Sequence, residues 1–149
     1  NGNGKLTYTT SNKAVATVDA NGKVTVKAPG VATITVKAAA TTDYKAASKT
    51  VTVTVAPKKQ SISLVNKIKK QLTIKWKKNT KASGYQVVYS TNKKFTGKKT
   101  VRKAKTTTSY KIKGLKKGKK YYVKVRSYKT VNGKRIYGAY STAKKATIK

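Results

Sequence analysis

The sequence predicts an all-β chain of two tandem antiparallel sandwiches. Threonine, valine, isoleucine and tyrosine alternate with lysine along most of its length, the period-two spacing that sends successive side chains to opposite faces of a strand. Turn signals recur about every 8–12 residues, as sandwiches require. No window carries the 3.6-residue apolar period of an amphipathic helix. With 149 residues the chain has room for one large or two small domains.

Five segments of residues 1–56 alternate in this way: "KLTYTT", "AVATVD", "KVTVKA", "VATITVKA" and "KTVTVTVA". Between the second and third, "DANGK" holds Asn21-Gly22, a dipeptide that accepts positive φ at both positions of a tight hairpin turn. "APG" at 28–30 is a further turn signal. From Lys49 to Val55, Val51, Val53 and Val55 share one face and Thr50, Thr52 and Thr54 the other. In "APKKQ", residues 56–60, Pro57 interrupts the pattern and lysine density rises at once. Residues 57–60 therefore read as a linker between a domain of residues 1–56 and one of residues 61–149. The second domain continues with "QLTIKWKK", "GYQVVYST", "KTVRKA", "TSYKIKGL", "KKYYVKVRSYK" and "AKKATIK". Leu72, Ile74 and Trp76 fall on one face, as do Tyr85, Val87 and Tyr89, and again Tyr121, Val123 and Val125.

Charge is distributed very unevenly. The formal net charge is +35. Residues 1–56 hold seven lysines and both aspartates, Asp19 and Asp43, whereas residues 57–149 hold 30 basic residues and no acid. An AT-rich genome raises lysine, but aspartate and glutamate codons are not GC-rich enough to vanish with it. The imbalance points to a polyanionic partner for the second half. Lysine outnumbers arginine 34 to three. Arginine serves planar, bidentate recognition and lysine acts as a mobile point charge, so the expected attraction is loose and salt-sensitive.

Several function classes are disfavoured. With no cysteine or histidine, the chain can form neither a disulfide nor a Cys/His metal site. Calcium wants several carboxylate oxygens, and an intramolecular Lys–Asn isopeptide brace wants a buried acid; Asp19 and Asp43 both sit in turn-like segments. There is no histidine or glutamate for general acid–base work, and no serine lies in a Gly-x-Ser-x-Gly elbow or beside the companions of a Ser-x-x-Lys site. No catalytic residue, metal or cofactor is expected. Nothing reaches the ~18 apolar residues of a transmembrane helix, so membrane insertion is not expected. The "NGNG" opening, without a signal peptide, reads as an interior or C-terminal piece of a secreted precursor.

Two family resemblances rest on particular residues. "YTTSNKAVATVDANGKVTVKAPGVATITV", Tyr8 to Val36, resembles the bacterial immunoglobulin-like (group 2) domain. By that resemblance the first domain lacks its initial strands. Residues 61–149 resemble a lysine-rich fibronectin type III domain of Gram-positive bacterial surface proteins. Trp76 matches the tryptophan of the second strand and "GYQVVYS" the third strand. In "GLKKGKKYYVKVRSY", Leu115, Gly118, Tyr121, Val123 and Val125 are in register with the family's Leu-x-Pro-Gly-x-x-Tyr-x-Val-x-Val, with Lys117 in place of the proline. The resemblance makes Tyr121 the tyrosine-corner residue, its hydroxyl bonded to nearby backbone. No Arg-Gly-Asp loop is present; "TVNGKRIYG" stands there instead. Both families serve as spacers, stalks and adhesion modules, which implies an extracellular location, secreted or on a bacterial surface.

The segment Gly114 to Arg135 gathers nine basic residues and gives the candidate site. By alternation its long strand presents Tyr122, Lys124, Arg126 and Tyr128 outward. The preceding turn adds Lys116, Lys117, Lys119 and Lys120, and a following loop adds Lys129, Lys134 and Arg135. The cations are candidate polyanion contacts, with Tyr122 and Tyr128 as stacking platforms for sugar rings or bases. Trp76 and Tyr121 are expected to be structural. The expected function is a non-catalytic surface or adhesion module binding teichoic acid, acidic polysaccharide or extracellular DNA. Two alternatives stand beside it. One is a fibre subunit that self-associates by strand addition through its incomplete first domain. The other is a passive stalk or spacer of a larger surface protein or enzyme.

Overall fold

Alternating β-branched and lysine residues form thirteen strands and no helix among the described residues, 4–149 of a computed structural model. The first three residues of the "NGNG" opening lie outside this range. The chain divides into two units between Val55 and Ala56, and each has its own core.

The first unit contains β1 (Leu6–Thr10), β2 (Ala16–Val18), β3 (Val24–Val26), β4 (Gly30–Ala38) and β5 (Ala47–Val55), the five strands expected. β4 pairs antiparallel with β1 on one side and β5 on the other, and β2 pairs with β3 in a hairpin. Its core is small: Val15, Ala16 and Ala32 are buried with Val55 packed against them. Leu6, Val24, Val26 and Val51 remain exposed.

The turn between β2 and β3 differs from the expected two-residue hairpin. Only Gly22 has positive φ there, at 80°, and Val18 pairs with Val24, which leaves a five-residue loop. The Asp19 side chain organises it. Its Oδ1 accepts hydrogen bonds from the N–H groups of Asn21 (3.0 Å) and Lys23 (2.9 Å), an Asx-type turn that competes with the tighter alternative.

The second unit contains β6 (Ile62–Val65), β7 (Leu72–Trp76), β8 (Gly84–Ser90), β9 (Lys99–Ala104), β10 (Ser109–Ile112), β11 (Lys120–Val131), β12 (Lys134–Tyr137) and β13 (Lys144–Thr147). One sheet has the order β10-β7-β6 and the other β12-β11-β8-β9, with β13 also on β11. All pairings are antiparallel. Leu72, Ile74 and Trp76 of one sheet meet Tyr85, Val87, Val123 and Val125 of the other in a continuous buried cluster. The period-two reading had placed these same residues on shared faces. The strands β6 and β12 were not among those read from the sequence; each has only four residues.

The segment 57–60, read from sequence as a linker, packs on this second unit. Pro57 and Gln60 are buried. The Gln60 amide donates to the Lys58 carbonyl (3.2 Å) and to Ser127 Oγ (3.4 Å), and Ser127 Oγ donates to the same carbonyl (3.2 Å).

Candidate polyanion-binding face

β11 carries the site. Over its 12 residues it spans about 36 Å at roughly 3.3 Å per residue, so its two ends are far apart. At one end the turn preceding it exposes Lys116, Lys117 and Lys119, and the first residue of the strand, Lys120, is exposed beside them. Backbone bonds from Gly118 N–H to the Ile148 carbonyl (2.9 Å) and from Ile148 N–H to the Lys119 carbonyl (3.0 Å) anchor that turn. The Tyr121 hydroxyl accepts from the Lys116 N–H at 3.4 Å, the corner contact that the family resemblance implied.

At the other end, the residues read as a loop are strand. Asn132 (φ 48°) and Gly133 (φ 74°) alone form the connection, with Val131 paired to Lys134. Positive φ at both positions marks the tight hairpin turn in which Asn-Gly is favoured. Register then sorts the cations. Arg135 lies opposite Thr130, on the same pleat as Arg126 and Tyr128. Lys134 lies opposite Val131 and shares the other pleat with Lys129. The nine candidate cations thus form no single patch.

Between the two ends, Tyr122, Lys124, Arg126 and Tyr128 do stand on the outer pleat, but all four are half-buried. The Lys124 ammonium lies 4.1 Å from the Phe95 ring centroid and 4.4 Å from that of Tyr140. The Arg126 guanidinium lies 3.8 Å from Tyr137 and 4.4 Å from Tyr140. Tyr137 meets Tyr128 edge-on at 5.8 Å, and Arg135 lies 5.5 Å over Tyr128. Cations and rings interleave in a ladder, Phe95–Lys124–Tyr140–Arg126–Tyr137–Tyr128–Arg135, with one ring-on-ring step between Tyr137 and Tyr128. Each contact contributes about 0.5–2 kcal/mol according to its exposure. Tyr128 is therefore an internal rung, not the free stacking platform expected of it.

Glycine and strain shape this face. A Cβ on Gly84 would come within 2.5 Å of the Tyr128 hydroxyl and 2.6 Å of the Lys103 carbonyl, so only glycine lets the Tyr128 ring lie on β8. Phe95 has φ 62°, a left-handed conformation unfavourable for a bulky residue. Bonds from Phe95 N–H to the Asn92 carbonyl (3.0 Å) and from Ser90 Oγ to the Thr96 carbonyl (2.8 Å) hold it there. Beneath the ladder, buried Gln86 turns its Oε1 toward two donors, Arg126 Nε at 2.6 Å and the Tyr140 hydroxyl at 2.9 Å.

The sequence reading missed Phe95, Tyr137, Tyr140 and Gln86. The one available signal for Tyr137 was the Asn132-Gly133 dipeptide, which places it opposite Tyr128. Trp76 is core, with its ring centroid 5.4 Å from that of Tyr85. Asp19 is committed to its turn and Asp43 lies in an exposed loop. Among the described residues no three His, Cys, Asp or Glu side chains form a cluster able to hold a metal, and no helix is long and apolar enough to cross a membrane.

The fibronectin type III family model matches residues 55–142, more than half of the chain. The chain belongs to the fibronectin type III family. Residues 1–41 match the model described as intimin, immunoglobulin-like domain. The first unit is thus similar to an immunoglobulin-like module of the intimin kind. A curated relative, a Kelch domain-containing protein of Sulfurisphaera tokodaii, is 35% identical over 83 residues, covering 56% of this chain and 11% of the relative. The chain therefore spans about a ninth of that protein's length. Among solved structures, the sixth fibronectin type III domain of human fibronectin type III domain containing protein 3 has a TM-score of 0.53 at 16% identity, covering 64% of this chain and 89% of that one. A structure described as a myokine has a TM-score of 0.50 at 15% identity, covering 62% and 98%. At these identities the likeness is one of fold. Fibronectin type III and intimin-like immunoglobulin domains are common in extracellular and surface proteins and are typically non-catalytic.

One further group in the fibronectin type III unit titrates unusually. Tyr89 lines a cleft with Tyr121, Ile112 and Leu115. Burial pushes its phenol pKa up, with additions from Tyr110 and Tyr121. The folded value lies above the unfolded value of about 10. Its contribution to stability is thus complete below about pH 10 and is lost as pH rises through the folded pKa. Tyr89→Phe should flatten the alkaline fall of the urea midpoint. An unchanged slope above pH 10 would show that this phenol is not the group responsible.

Proposed function

We propose that the chain is a non-catalytic extracellular module whose basic fibronectin type III unit binds anionic polymers of a bacterial wall or matrix, such as teichoic acid, acidic polysaccharide or extracellular DNA. One observation carries the reading: residues 57–149 hold 30 cations and no aspartate or glutamate, so their counterions must come from outside the fold. Lysines 116, 117, 119 and 120 are exposed on one anchored turn and the strand start that follows it, where a flexible polymer reaches several at once. Each contact displaces a condensed counterion, which makes binding steeply salt-dependent. The full chain should stay on a teichoic-acid or heparin resin in dilute buffer and elute with rising salt. Changing those four lysines to glutamine should bring elution forward. With duplex DNA as ligand, each lost phosphate contact should lower the log–log salt slope by about 0.9. Passage of the unaltered chain through these resins in dilute buffer would sink the proposal.

A second reading has its own observation. β5 is a nine-residue edge strand, paired only with β4 among the described residues, with most of its side chains exposed. Such an edge is a template for a strand from another chain, as a fibre subunit would need. A concentration-dependent shift to larger species on size exclusion would support strand addition, and a constant monomer would leave the module or spacer readings.

A further inference from the structure

Lysine crowding alone does not account for where the fibronectin type III unit places its arginines. All three arginines of the chain, Arg102, Arg126 and Arg135, lie on the outer pleat of the larger sheet. Arg102 on β9 and Arg126 on β11 are both in register with Gln86 on β8. They form a row across three neighbouring strands, with the two arginine Cα atoms about 10 Å apart at roughly 4.8 Å per strand.

The two ends of this row differ. Arg102 is exposed. Arg126 is held by Gln86 through Nε and lies over the rings of Tyr137 and Tyr140. Among the described residues its terminal nitrogens make no hydrogen bond. A guanidinium anchored through Nε presents those nitrogens as a fixed fork, matched to two oxygens of one acid group. Little side-chain freedom is left to lose when the ligand arrives. Of the 30 basic residues in 57–149 all but Arg102, Arg126 and Arg135 are lysine; at Arg126 the planar head occurs where the protein has built a support for it.

We infer that Arg126 is the specificity-determining contact of a subsite for the carboxylate or sulfate of an acidic polysaccharide, with Arg102 engaging the next acid group along the chain. This assignment rests on the polyanion-binding reading above. With their Cα atoms about 10 Å apart, the two arginines can engage acid groups on separate units of one sugar polymer. Single-stranded nucleic acid would want free rings for its bases, but Tyr137, Tyr140 and Tyr128 already lie against the protein's own cations.

The test compares charge-preserving variants, Arg126→Lys and Arg102→Lys, in the full chain at one fixed salt concentration. Hyaluronan supplies carboxylates alone, dextran sulfate supplies sulfates alone, and polyphosphate and single-stranded DNA serve as comparison polymers. Arg126→Lys should weaken binding to one or both sugar polymers about tenfold, equivalent to about 1.4 kcal/mol, with little change on polyphosphate or DNA. Loss confined to hyaluronan assigns a carboxylate, and loss confined to dextran sulfate assigns a sulfate. Arg102 lies outside the ladder, so Arg102→Lys gives an independent answer should Arg126→Lys unfold the unit; it should lower sugar-polymer affinity in the same selective way. Binding by both folded variants at unaltered strength would overturn the subsite while leaving general polyanion binding intact. Equal weakening on all four polymers would overturn the polysaccharide assignment. Failure of the unaltered chain to bind any of them in dilute buffer would remove both readings.

Discussion

Trp76→Ala should remove a large share of the stability of the fibronectin type III unit. The side chain is 6% exposed and sits in the continuous cluster between the two sheets, tilted against Tyr85 at 5.4 Å. Deleting a buried tryptophan removes its transfer energy and leaves a cavity that strands on both sides cannot close, about 3–5 kcal/mol together. A domain of this size has about 5–15 kcal/mol to lose, and each kcal/mol moves Tm by about 4–8 °C. A fall of roughly 15 °C or more is expected, followed by far-ultraviolet circular dichroism because the fluorophore is gone. Trp76→Phe separates packing from polarity. The indole Nε1 is buried without a hydrogen-bond partner among the described residues, so phenylalanine strands no acceptor and should be milder than alanine. A loss below about 1 kcal/mol for alanine would mean that Trp76 does not hold the sheets together.

The core was legible because it depends on period two. Leu72, Ile74 and Trp76 had only to alternate with lysine to be assigned one face, and Tyr85, Val87, Val123 and Val125 likewise. The ladder was not legible, because it depends on which strands are neighbours and in what register. Tyr140 reaches Arg126 from the connection between β12 and β13, and Phe95 reaches Lys124 from the turn after β8. Neither distance is written in local alternation. The two Asn-Gly dipeptides show the same limit in miniature. At Asn21-Gly22 a preceding aspartate offers the backbone a competing acceptor and the loop lengthens. At Asn132-Gly133 no such acceptor intervenes and the tight turn forms. Reading the second dipeptide as a loop placed Lys129, Lys134 and Arg135 together, although the two-residue turn puts Arg135 on the opposite pleat from the lysines.

The fibronectin type III unit should also become more stable as salt is added, opposite to a domain held by surface ion pairs. Its 30 cations face no aspartate or glutamate within residues 57–149. Two like charges 10 Å apart in water repel by about 0.4 kcal/mol before screening. The screening length shrinks from about 30 Å at 0.01 M salt to about 3 Å at 1 M, so at low salt each cation feels many others and at high salt almost none. The compact state holds these charges closer together than the unfolded chain does and gains more from screening. A net gain of about 1 kcal/mol would raise Tm by about 4–8 °C between 0.01 M and 0.5 M sodium chloride. The ladder does not cancel this repulsion, since rings soften the charge of Lys124 and Arg126 but add no anion. Glutamine at lysines 116, 117, 119 and 120 should flatten the rise by thinning the densest run of charge. The first unit, with seven lysines and both aspartates, should respond far less. A melting temperature for the second unit that is flat or falls over this range would show that its cations are neutralised within the protein, and the need for an external polyanion would go with it.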